Sequence, residues 1–91
     1  MEVVWIIKAE YISAYKIRLT FNDGINGIVD FVDKFDLPIY KQLVNKEYFK
    51  TFKLNSWTIA WENGADFAPE FLYELIIKQQ NAQTKTKEVF V

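Results

Sequence analysis

The chain has 91 residues, 51% of them apolar and 18% aromatic, with only Gly 3 and Pro 2. That is enough for one domain with a bulky core, and too ordered a composition for a disordered or loop-built scaffold. Cys and His are both absent, which excludes disulfides, thiol nucleophiles, thiolate metal sites and imidazole proton shuttles. The net charge of −1, with acids and bases interspersed, sets up no field that would draw DNA or anionic lipid. The opening MEVVWIIKAE carries an acid at Glu2, no basic n-region and an apolar run broken at Lys8, so it does not read as a secretory leader. No stretch reaches the apolar length of a membrane span, and the expected location is the cytoplasm.

Residues 3–11 alternate with period two. Val3, Trp5, Ile7, Ala9 and Tyr11 fall on one side, and Val4, Ile6, Lys8 and Glu10 on the other, which predicts a strand. Residues 14–21 alternate more cleanly: Tyr15, Ile17, Leu19 and Phe21 point one way, Lys16, Arg18 and Thr20 the other, as in a strand with one wet face. Asn22-Asp23-Gly24 reads as a turn, and INGIVDF, 25–31, as the returning strand. Gly27 within it signals a bulge or a close backbone approach.

Residues 32–38 connect to a short helix, IYKQLV, entered at Pro38, where a missing N–H costs nothing. A further helical turn around KEYF follows. Two strands are expected at 50–55 and 57–61, with Asn55-Ser56 turning between them. In the second, Trp57, Ile59 and Trp61 share a side. A last helix runs from Pro69 to about Gln79, so that residues 1–79 form a single globular domain. Residues 80–91 read as a polar, mobile tail whose apolar end, Val89-Phe90-Val91, can dock. The order β-β-β-α-β-β-α, with tight turns, predicts an α+β fold: a mainly antiparallel sheet of about five strands, a short central helix and a C-terminal helix.

Three groups of residues together resemble a known pattern. They are Phe21, Asp23, Gly24, Gly27 and Asp30 in the first hairpin; Tyr40, Leu43 and Phe49; and a long closing motif of Trp61, Asn63, Gly64, Asp66, Pro69, Glu70, Leu72 and Tyr73. The sequence resembles the bacterial domain-of-unknown-function family 2442 over residues 3 to about 76. The resemblance implies a β3-α-β2-α fold. It also implies stand-alone proteins or modules joined to a helix-turn-helix, some in toxin–antitoxin-like pairs, with no activity to transfer. Two positions depart from the pattern: Glu62 stands where the family usually has Pro, and Ala68 where it often has the helix-capping Ser.

The candidate surfaces follow from these elements. Trp61, Asn63 and Asp66 either form a recognition edge or serve the backbone as core, turn and helix cap. Asp30, Asp33 and Asp36 are spaced by three but lack the Gly and closing Glu of a calcium loop, so a solvated face is expected and no metal or other cofactor. With no His or Cys, no phosphate loop and no nucleophile elbow, no enzyme activity is expected. Lys16 and Arg18 on a wet strand would suit RNA, but the aromatics fall on the opposite, apolar face, so nucleic acid is a secondary reading.

On the last helix Phe71, Leu72, Leu75 and Ile76 form an apolar stripe that Tyr73 and Ile77 widen past half the circumference. Ordinary packing by the short helix, the tail's end, a second copy of the chain or another protein could cover Tyr73 and Ile77. The expected function is therefore a non-catalytic protein-interaction module, such as an antitoxin-like or regulatory partner, binding another protein or itself.

Overall fold

The computed structural model describes residues 3–89, with side chains through residue 81. Strands β1 (Ile6–Ser13), β2 (Lys16–Phe21) and β3 (Asn26–Asp30) form an antiparallel sheet in chain order. A 3-10 helix (Pro38–Val44) and the one-turn α1 (Lys46–Phe49) follow. The short β4 (Lys53–Leu54) and β5 (Ile59–Ala60) form a second antiparallel pair, and α2 spans Pro69–Val89. The fold is α+β in the expected element order. Hydrogen bonding divides its five strands into a sheet of three and a sheet of two. The two approach where the Ile6 N–H donates to the Trp57 carbonyl at 2.8 Å.

Pairing on β1 explains why its simple alternation misleads. Ile6 faces Phe21, the next pair is Lys8 with Thr20, and Ile7 is the extra residue of a bulge. The bulge reverses the phase of the strand. Ile6 is buried and Ile7 exposed, while Ala9 and Tyr11, beyond the bulge, face Leu19 and Ile17. β2 behaves as its pattern predicts, with Ile17, Leu19 and Phe21 all buried. Gly24 closes the turn to β3 at φ 91°, a conformation that side chains disfavour.

Gly27 is where sheet and helix touch. A Cβ built there would lie 2.9 Å from Ile76 Cγ2, so the missing side chain admits α2 onto β3. Below the sheet the core is aromatic. Phe49 has ring neighbours in Tyr11, Tyr15, Phe31, Phe35 and Trp61, all edge-on or tilted. Asn45 holds α1 in place by accepting from the Glu47 and Tyr48 N–H groups.

Helix α2 runs past its expected end near Gln79. Residues 80–89 contain neither Gly nor Pro and include Gln80, Ala82, Gln83, Lys85, Lys87 and Glu88, all good helix formers, so propensity carries the helix where apolar periodicity has stopped. The docking expected of Val89-Phe90-Val91 falls on side chains that lie outside the described ones. Among the described residues no helix is long and apolar enough to cross a membrane.

Candidate functional site

The segment from Trp61 to Phe71 joins β5 to α2, and its local geometry follows from its residue types. Gly64 takes φ 93° in the turn, the Gly64 N–H donates to the Trp61 carbonyl at 3.0 Å, and the Trp61 N–H donates to the Ala65 carbonyl at 2.9 Å. Asn63 is spent on the fold. Its Oδ1 accepts from the Ala65 N–H at 3.0 Å, and its Nδ2 donates to the Ile39 carbonyl at 3.1 Å and to Gln42 Oε1 at 3.0 Å. Its own N–H donates to the Tyr48 hydroxyl at 3.0 Å. Trp61 is buried, and its Nε1–H donates to the Phe49 carbonyl at 2.9 Å. Both residues tie the junction to the 3-10 helix and α1.

Asp66 serves through its backbone. It bridges Ala60 in antiparallel fashion, and its carbonyl accepts from the Tyr40 hydroxyl at 2.9 Å. Its side chain is exposed, and among the described residues its carboxylate accepts no hydrogen bond, so the helix-capping role considered for it is not formed. Burial first, and the Asp66 charge second, hold the Tyr40 phenol above its usual pKa. Tyr40 also stacks on the buried Phe67, with centroids 4.7 Å apart and planes within 4°. The buried Thr58 hydroxyl donates to the Phe67 carbonyl at 2.6 Å.

Phe67 and Ala68 form the wall between two shallow grooves. One is lined by Asp33, Lys34, Asp36, Leu37, Tyr40 and Phe71, the other by Val3, Val4, Trp57, Thr58, Asp66 and Glu70. Each groove exposes large apolar groups. Leu37 is 58% and Phe71 47% exposed on one side, and Val3 61% and Trp57 57% on the other.

These four side chains were not among the residues singled out from the sequence. Period two groups Trp57 with Ile59 and Trp61, but Trp57 belongs to the turn before β5. Helical spacing puts Phe71 on the apolar stripe of α2. The signal that could have found it is helical geometry about Leu72 and Ile76, which are buried among the described α2 side chains.

Tyr73 and Ile77 are half-buried. Tyr73 meets Phe21 edge-on at 5.1 Å, and its hydroxyl donates to Asp23 Oδ2 at 2.6 Å. Its surplus apolar area is thus largely taken up within the chain. In the acidic connection, Asp30 accepts from the Val32 N–H at 3.0 Å and Asp33 pairs with Lys34 at 2.8 Å. Among the described residues no three acids converge as a metal site would need.

Comparison with curated proteins finds no match, and neither does comparison with solved structures. A family model matches residues 6–78, from β1 well into α2, and so takes in both the first hairpin and the junction. The chain belongs to DUF2442, a family described as protein of unknown function.

Proposed function

We propose that this chain is a protein-interaction module with no catalytic chemistry of its own, working in the cytoplasm on another protein or a second copy of itself. The observation that carries the reading is the exposure of Val3, Leu37, Trp57 and Phe71 on the two sides of the Phe67–Ala68 wall. Large apolar side chains gathered along grooves are what a partner's surface would cover. An antitoxin-like or regulatory partnership, as the family resemblance implies, is the form such binding would take. The sequence supports the non-catalytic part, since it holds neither His nor Cys.

Nucleic acid is the weaker reading. On the outer face of the sheet Arg18 stands opposite Glu10, and Lys16 opposite Asp30, so each base has an acid beside it. The sheet's own aromatic rings, Tyr11, Tyr15 and Phe21, pack into or against the core and not beside these bases.

The test is photo-crosslinking in cells from position 57 or 71, with position 10 on the outer sheet face as control. Discrete adducts from the groove positions alone support the module. Absence of any adduct, together with monomeric sedimentation, removes its basis.

A further inference from the structure

The groove beside Trp57 has a chemistry of its own. Trp57 is exposed yet held. Its N–H donates to Asn55 Oδ1 at 2.8 Å, its carbonyl accepts from the Ile6 N–H at 2.8 Å, and its ring meets Trp5 at right angles, 6.1 Å away. A large ring fixed in this way loses little freedom when covered, which suits an interface anchor. Among the described residues, the charged ones lining the groove are Asp66 and Glu70, with no Lys or Arg. Both carboxylates are exposed, and the ion pairs among the described residues, Lys8–Glu10, Lys34–Asp33 and Lys50–Glu47, include neither. Lys53 pairs with Ala60 from the side opposite Asp66 and makes no ion pair with it. The N-terminus of α2 adds about half a positive charge here, which two full negative charges outweigh.

We infer that this groove binds a peptide segment that is both basic and apolar, with an arginine or lysine side chain laid along the Trp57 indole and its charge beside Asp66 and Glu70. The aromatic face attracts the cation and covers its alkyl stem, and the two carboxylates select its sign. The same charges repel phosphate, so a nucleic acid or an anionic membrane is a poor occupant. The inference rests on the interaction-module reading and names the partner's chemistry.

The experiment selects displayed random heptapeptides on the immobilised full chain, then measures individual peptides by fluorescence anisotropy. Selected peptides should carry Arg or Lys next to apolar residues. W57A should weaken their binding about tenfold or more, and the double variant D66N/E70Q about two- to fivefold, with affinity falling as salt is added. Melting curves check that each variant folds. The double variant alters only exposed carboxylates and keeps the test alive should W57A unfold. Peptides without a cation, or peptides whose binding ignores these substitutions, overturn the inference and leave the module reading standing. No selection above the bare support overturns the inference and counts against the module as well.

Discussion

The Tyr73 hydroxyl donates to Asp23 Oδ2 at 2.6 Å, joining α2 to the β2–β3 turn across 50 residues of chain. Asp23 also accepts from the Ile25 N–H at 3.0 Å through Oδ1, so one side chain both shapes the turn and receives the helix. The Tyr73 ring packs edge-on against the buried Phe21. A tyrosine suits this place because its body is apolar and its tip is not. The Tyr73 hydrogen bond first, and the Ile25 N–H second, hold the Asp23 carboxyl below the usual carboxylate range.

Tyr73→Phe keeps the ring and removes the bond. Because the folded-state pKa of Asp23 is depressed, the linked stability is present above the unfolded value, about 4, and is lost as pH falls through the folded value. The variant should therefore melt lower than the parent at neutral pH, and the gap should close in acid. Denaturant melts across the acid range measure it, and a gap that persisted once Asp23 was protonated would assign the effect to packing instead.

Gly27→Ala places a Cβ 2.9 Å from Ile76 Cγ2 and 3.2 Å from Ile76 Cγ1. Ile76 is fully buried and β-branched, so it has little room to turn away. Overpacking of this kind costs about 1–3 kcal/mol. Pairing Gly27→Ala with Ile76→Ala, which removes both γ carbons at the clash, should cost less than the two single losses added together, and a double-mutant cycle reads the coupling.

Ala68→Ser should stabilise. The Ala68 carbonyl already accepts the first α2 bond, from the Leu72 N–H at 3.2 Å, and the side chain is exposed, so a hydroxyl has space to accept an orphan N–H. A serine cap is worth about 1 kcal/mol over alanine, or a rise in melting temperature of roughly 4–8 °C for a domain of this size. Thermal denaturation settles it, and an unchanged melting point would mean that these N–H groups are already satisfied by solvent.

Where a periodic pattern and a local backbone rule agreed, the sequence was a reliable guide. β2, the Gly24 turn, the Gly27 approach and the Pro69 start of α2 are of this kind. What it could not convey depended on one inserted residue or on neighbours remote in the chain. The Ile7 bulge leaves the composition of β1 untouched while reversing its phase. Asn63 looks like a display residue until Ile39 and Gln42 arrive from the 3-10 helix to occupy its amide. Trp57 obeys period two with Ile59 and Trp61, yet it sits in the turn, where that period does not apply. The exposed grooves were invisible for the same reason, since their walls come from four separated stretches of chain.

Asn63 and Asp66, three residues apart, should respond very unequally to alanine. Asn63→Ala leaves the Ile39 carbonyl, Gln42 and the Ala65 N–H without their partner. Each lost bond costs about 1 kcal/mol, so the melting temperature should fall sharply. Asp66→Ala removes an exposed carboxylate and spares the carbonyl that receives Tyr40, so stability should stay within about 0.5 kcal/mol. The Tyr40 phenol should still titrate above its usual value in that variant, because burial is the larger cause of its shift and the Asp66 charge the smaller. Tyrosinate absorbance in alkaline titration follows this directly. A return of Tyr40 to its ordinary value on loss of Asp66 would mean that the charge dominates.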